Sequence, residues 1–287
     1  SGIDNFQCVG ETLWDILPAG EFIGGAPFNV AAHLTRLGAK TQLITRIGAD
    51  GLGKSSLERM NELGIDVSCV QVDEILPTGT AEALIDDEGV AHYYFKEPVA
   101  FDRLQCPDRD RFGCVIVGTL SRRDPCAAAA ITAILDRAAY RVLDLNCRAP
   151  FDTTAVVIDA LNHCDFLKVN EVELERLARE FNVKANSMTV LAALKERFGI
   201  ETLLVTKGAA GAELLINGEQ FETTAEPVCI CDTIGAGDAF LATTIYDLAR
   251  GIEPLLVLKR ASVLASWVVS ASGAVPEYDP QLLPLAL

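Results

Sequence analysis

The residues best suited to do chemistry form one run near the C-terminus: Cys231-Asp232-Thr233-Ile234-Gly235-Ala236-Gly237-Asp238-Ala239-Phe240. Upstream, Pro227 to Ile230 reads as a short extended segment. Downstream, Ala239 to Ala249 carries the 3.6-residue apolar spacing of a buried helix. Gly235, Ala236 and Gly237 leave consecutive backbone N–H groups uncovered at a helix start. There the first donors lack partners and the dipole is positive, which makes an anion site. Asp238 sets a carboxylate at its edge. An acid beside an anion is repelled, so it needs a use. The use that fits is to take a proton from a nucleophile attacking a bound phosphate. A tight glycine turn with an acidic helix cap spells some of the same letters. The run is not a dinucleotide fingerprint, because Phe240 stands where the third glycine belongs.

Other residues could complete a site. Asp15 is a lone acid among apolar residues; it either caps a turn or accepts from two neighbouring hydroxyls of a polyol. Asn29 follows Gly24-Gly25-Ala26-Pro27 at a helix start and either satisfies the first turn or meets a ligand. Asp144 to Arg148 closes an apolar strand, at the end where open α/β sheets bind ligands. Arg148 can neutralise phosphate or hold an acidic sugar, or pair on the surface with Asp144 or Asp152. Asn170 and Glu173 have the spacing of a capping box. Thr206-Lys207-Gly208 and Gly211 make a glycine turn that leaves backbone exposed.

The terminal run, with Gly10-Glu11-x-x-x-Asp15 and Gly24-Gly25-Ala26-Pro27-Phe28-Asn29, resembles the signatures of the PfkB (ribokinase-like) carbohydrate kinases, closest to fructokinase-like members. The resemblance covers about residues 8 to 280. It implies a three-layer α/β/α fold with a mostly parallel central sheet and a small β-sheet lid, formed by about residues 10–23 and 67–100 of a single domain. It implies ATP-dependent phosphorylation of a sugar, with Asp238 as base and Gly235, Ala236, Gly237 and Arg148 around the phosphoryl group. Asp15, Gly25 and Asn29 would hold the sugar, with Tyr93 and Phe95 of the lid. Asn170, Thr206, Lys207, Gly208 and Gly211 would hold the nucleotide together with Gly235 and Gly237. Mg²⁺ would be positioned by Glu173 through water, and carbonyls at Asp232 and Ile234 could hold K⁺. Pairing of two copies through the lid is expected. A 2-keto-3-deoxygluconate kinase would share these parts and want cations in the sugar pocket, for which Lys96, Arg122, Arg123 and Arg148 are available. A sensor that binds without turnover gains nothing from Asp238. Gly48 to Ser55 also spells the P-loop pattern letter for letter. Leu52 before Gly53 is a poor fit to a backbone that must wrap phosphates, and the same letters fit the family's Gly-x-Asp-x-x-Gly.

The elements must place these groups together. Continuous apolar strands at Phe6–Glu11, Thr41–Ile47, Cys114–Gly118, Arg141–Leu145, Phe166–Val169 and Glu201–Thr206 alternate with helices, including Pro125–Ala139 and about Leu255–Ser270. That is the mark of a parallel sheet covered on both faces. Short alternating segments at Val67–Val72, Thr80–Ile85 and Val90–Phe95, with a turn at Asp86–Gly89, suit a flap. The chain has 287 residues, is 50% hydrophobic and carries a formal charge of -16, which disfavours nucleic acid and anionic membranes. No run is long enough to span a bilayer, and the start lacks an export signal, so a cytoplasmic location is expected. The nine cysteines include no Cys-x-x-Cys; Cys114, Cys126 and Cys164 read as core residues in a reducing compartment. Nothing suggests zinc.

Overall fold

The computed structural model describes residues 5–17, 20–85, 91–225 and 227–286, with only the backbone at 83–85 and 91–93. In chain order the elements are β1 (Asn5–Val9), β2 (Leu13–Leu17), β3 (Gly20–Gly24), α1 (Ala26–Arg36), β4 (Lys40–Ile44), β5 (Arg46–Gly48), α2 (Gly51–Glu62), β6 (Gln71–Asp73), β7 (Gly79–Ile85) and β8 (Ala91–Phe95). There follow β9 (Phe112–Val117), α3 (Pro125–Leu135), β10 (Ala138–Asp144), α4 (Thr154–Leu161), β11 (Phe166–Asn170), α5 (Glu171–Phe181) and α6 (Ser187–Phe198). The chain closes with β12 (Thr202–Thr206), β13 (Ala212–Ile216), β14 (Glu219–Thr223), α7 (Ala236–Ala249) and α8 (Pro254–Val269).

Eight strands make the central sheet in the order β14-β13-β12-β11-β10-β9-β1-β4, parallel from β12 through β4. The apolar runs are continuous because both faces are covered. Alternate residues point to opposite layers: Val115 and Val117 meet α3 to α6, whereas Cys114 and Ile116 meet α1, α7 and α8. After β1 the chain pairs first with β4 on one side and later with β9 on the other. The order therefore reverses at β1, and ligands of such sheets bind in the crevice at the carboxyl ends there.

A second sheet of four strands, β3-β2-β7-β8, stands apart from the first. Segment 67–72, expected in this flap, does not join it. Its end, β6, pairs in parallel with β5, where Arg46 Nε binds Asp73 at 2.9 Å. Leu13–Leu17 and Gly20–Gly24 supply the flap's other strands. The Asp86–Gly89 turn lies outside the described residues. Cys126 departs from its expected core place; it is exposed in the first turn of α3, its N–H held by Asp124. Among the described residues no helix is long and apolar enough to cross a membrane.

Candidate active site

Helix α7 begins as its sequence requires. Gly235 caps it at φ 79°, a left-handed conformation that suits glycine, and no side chain caps the first turn. The first helical bond runs from Ala239 N–H to the Gly235 carbonyl, which leaves the N–H groups of Ala236, Gly237 and Asp238 without helical partners. A Cβ on Gly235 would stand 2.6 Å from Ala274. Ala274 is held there by His33, whose Nε2–H donates to its carbonyl at 3.0 Å while Nδ1 accepts from the Tyr278 hydroxyl at 2.8 Å. Burial keeps His33 neutral, its pKa lowered to about 4.

Asp238 is half-buried beneath this turn, and Asn29 Nδ2 donates to its Oδ2 at 2.8 Å. Asn29 Oδ1 is buried with no partner among the described residues. Residues 209 positions apart are thus joined at the crevice. Burial raises the Asp238 pKa to about 6; Asp144 adds to the rise, and Lys168, Asn29 and Arg148 oppose it. Asp15 on β2 is also raised to about 6 by burial, against the pull of Arg148 and with a push from Asp232. Arg148 itself is exposed and has no acidic partner among the described residues. Asp144 binds Lys168 instead, and Asp152 binds Arg176. The surface pairings open to Arg148 are therefore taken, and its charge is felt by Asp15, Glu11 and Asp238.

At the start of α7 a cavity of about 570 Å³ is lined by Thr206, Gly208, Gly211, Thr233, Ala236 and Gly237 among others, with apolar walls at Val228, Ile230 and Phe240. The expected nucleotide residues Thr206, Gly208 and Gly211 converge here. Lys207 does not; it turns to Glu213 on β13. Asn170 caps α5 and forms the reciprocal box with Glu173 at 2.9 Å each way, and Glu173 also accepts from Cys147 N–H at 2.7 Å. Both Glu173 oxygens are thus already engaged once. A spare lone pair on each fits a hold on Mg²⁺ through water better than direct ligation. No three His, Cys, Asp or Glu among the described residues converge as a metal cage. Asp232 accepts from Ile234 N–H at 3.0 Å and Gly273 N–H at 3.3 Å, which draws two carbonyl-bearing segments together. Oxygen donors of that kind suit a hard cation such as K⁺.

Some expected residues serve the fold. Gly25 at φ 106° has the Glu11 carbonyl 2.5 Å from where its Cβ would be, so its missing side chain admits the protein's own backbone. Phe95 packs edge-on against Phe151, centroids 6.2 Å apart, and anchors the flap to a small core. The Tyr93 side chain lies outside the described residues. Arg122 is tied to Asp159, and Arg123 to Asp102 between the rings of Phe101 and Phe151. The P-loop-like stretch is an ordinary capped helix start: Asp50 accepts from Gly53 N–H at 2.8 Å, and Lys54 is 80% exposed.

Two site residues escaped the sequence reading. Glu11 is buried and accepts from Ser121 Oγ at 2.6 Å, its pKa raised by burial. Lys168 is buried, with Nζ 2.9 and 3.1 Å from the two Asp144 oxygens. A lysine inside the apolar run of β11 was the available signal.

Residues 19–280 match the description "pfkB family carbohydrate kinase". The chain belongs to that family. It is a sugar phosphotransferase. A fructokinase of Klebsiella pneumoniae is 31% identical over 298 residues, covering 94% of this chain and 96% of the relative. Among solved structures, a Vibrio cholerae fructokinase double mutant with fructose, ADP and potassium superposes with a TM-score of 0.82 at 22% identity, covering 96% of this chain and 94% of the other. An ATP-bound fructokinase of Xylella fastidiosa gives 0.83 at 23% identity, covering 95% and 94%.

Proposed function

We propose that this kinase transfers the terminal phosphoryl group of ATP to a primary hydroxyl of a neutral ketose, with fructose the first candidate. The observation that carries this is the Asn29–Asp238 pair. It puts a carboxylate that can take a proton next to an unpartnered amide oxygen that can accept from a hydroxyl, beside the bare N–H groups of α7. Asp15 would accept from further hydroxyls. As Asp238 draws the proton from the attacking hydroxyl, the N–H groups of Ala236, Gly237 and Asp238 would stabilise the charge on the transferring phosphoryl. Arg148, which has no acidic partner among the described residues, would swing onto the same charge. The adenosine part would lie in the apolar-walled cavity at the start of α7. Bound Mg²⁺ would neutralise phosphate charge, held through water at Glu173, and K⁺ would sit by the carbonyls near Asp232 and Ile234.

The similarity to the Klebsiella fructokinase supports a neutral sugar. Of the four cations a sugar acid could use, Arg122 and Arg123 are committed to acids, which leaves Arg148 and Lys96 for that alternative substrate. Pairing of two copies through the flap goes with this reading, since Phe22 and Tyr94 on its two edge strands are 40% and 59% exposed. So does a cytoplasmic location, since all nine cysteines are free.

The test is ATP consumption coupled to product mass over fructose, ribose, 2-keto-3-deoxygluconate and adenosine. Fructose-dependent turnover that Asp238→Asn removes is the expected result. Preference for the sugar acid would transfer the chemistry to that substrate, and turnover untouched by Asp238→Asn would overturn the assignment of the base.

A further inference from the structure

We propose that Lys168 is a further catalytic residue of the phosphoryl-transfer site: its ammonium, braced by Asp144 beneath Gly237, makes direct contact with the phosphate chain of the bound nucleotide. Three observations converge. Asp144 and Lys168 are register partners on the adjacent parallel strands β10 and β11, at the carboxyl end of the sheet where the crevice lies. Both are buried, and the Asp144 oxygens accept two of the three ammonium hydrogens. The third has no acceptor among the described residues. Finally, a Cβ built on Gly237 would lie 3.1 Å from Nζ, so the ammonium stands immediately against the turn that presents its N–H groups to an anion. Gly237 also lines the cavity assigned to the nucleotide.

The charges around this point need such a cation. Asp144, Glu173 and Asp238 all act on Lys168; burial works against its charge, yet these three acids hold its pKa above the ordinary lysine value. A phosphate chain arriving at α7 would otherwise face three carboxyl groups with no fixed positive charge beneath it. Braced on one side and free on the other, Lys168 offers its remaining hydrogen without reorganising, which is the condition under which a fixed donor contributes most to a transition state.

A buried ion pair with a purely structural role would also look like this from the Asp144 side, so the test must separate the two. In Lys168→Met turnover should fall by about 10²-fold or more, the size commonly lost with one preorganised donor. The charge-neutral double variant Asp144→Asn/Lys168→Met removes both partners together and so restores stability without leaving an orphaned charge. A working Lys168 leaves that double variant folded and slow; turnover restored to the wild-type rate would overturn the proposal. If the Lys168→Met variants do not fold, the contact is read in the wild-type protein, with the charge-conserving Lys168→Arg needed only for assignment. With lysine labelled by ¹⁵N, the Lys168 Nζ resonance should shift on saturation with the non-hydrolysable ATP analogue AMP-PNP and stay in place with adenosine. An unmoved resonance under AMP-PNP would overturn the contact. The inference rests on the kinase reading but not on the sugar: a shifted Lys168 signal in a protein that turns over no sugar would fault the substrate assignment and leave Lys168 standing.

Discussion

Alanine at Gly235 and alanine at Gly237 are two residues apart and should fail in different ways. At Gly235 the backbone is left-handed, at φ 79°, which costs a residue with a Cβ about 1–2 kcal/mol. The new methyl would stand 2.6 Å from three atoms of Ala274, two of them backbone. Ordinary contact is well beyond that distance, and forcing a methyl group into a packed site costs about 1–3 kcal/mol more. The sum, about 2–5 kcal/mol, is a large share of the roughly 5–15 kcal/mol that holds a domain folded. At about 2–4 °C per kcal/mol, the melting temperature should fall by roughly 4–20 °C. Gly237 sits inside the helix, where alanine gains about 1 kcal/mol over glycine. Its methyl would meet only Lys168, with Nζ at 3.1 Å and Cε at 3.7 Å, a contact relieved by a shift of a few tenths of an ångström that keeps the Asp144 pair. Stability should therefore stay within about 1 kcal/mol of wild type, while the methyl covers the cradle and crowds the ammonium, so turnover falls at least about tenfold and up to the roughly 10²–10³ of a lost donor. Calorimetry and steady-state turnover on the two purified variants decide it. Wild-type turnover in Gly237→Ala would refute the placement of the phosphoryl group over this turn. An unchanged melting temperature in Gly235→Ala would refute the packing of residue 274 against it.

Three further outcomes follow from the same geometry. Asp238→Asn should slow turnover by about 10²–10⁴-fold. In the wild type, kcat/KM should fall as pH drops through about 6, because a base with its pKa raised to that value is protonated below it; a profile flat from about pH 5 to 8 would contradict Asp238 as the base. His33 titrates in the opposite sense. Its pKa is lowered to about 4 in the fold against about 6.5 unfolded, so its stabilising contribution is full above 6.5 and is lost as pH falls toward 4. The advantage of wild type over His33→Gln in urea unfolding should therefore shrink by about 3 kcal/mol between pH 7 and 4, and a constant gap would exclude a neutral buried ring. Lys54→Ala removes an exposed chain paired with Glu58 only at 3.8 Å. It should leave turnover intact and stability within about 0.5 kcal/mol, and loss of activity would reinstate the P-loop.

The site was legible where its chemistry is contiguous in the chain. Gly235 to Asp238 must be small residues followed by an acid whatever the surroundings, because bare N–H groups and a base are needed within one turn. The parallel sheet was legible from its apolar runs, since strands buried on both faces have no polar alternate positions. Residues whose role depends on a partner in another element were not. Phe95 and Lys207 lie on elements that do border the site, but sequence spacing cannot say which neighbour each side chain meets; Phe151 and Glu213 supply the answer. Segment 67–72 alternates like a flap strand, yet the pairing of β6 with β5 and the Arg46–Asp73 bridge take it elsewhere.

Lys168 shows most clearly what a single sequence withholds. Asp144 and Lys168 stand 24 residues apart, and nothing local in either strand announces the other. They meet because β10 and β11 pair in one register. Slipping β11 by one residue would set Leu167 or Val169 opposite Asp144 and turn the lysine to the other face of the sheet, since side chains alternate with a period of two. A buried carboxylate would then lack its partner, at a cost of several kcal/mol. The pair that fixes the register therefore also fixes a positive charge beneath Gly237, so strand pairing and cradle electrostatics cannot be altered independently at this point in the fold.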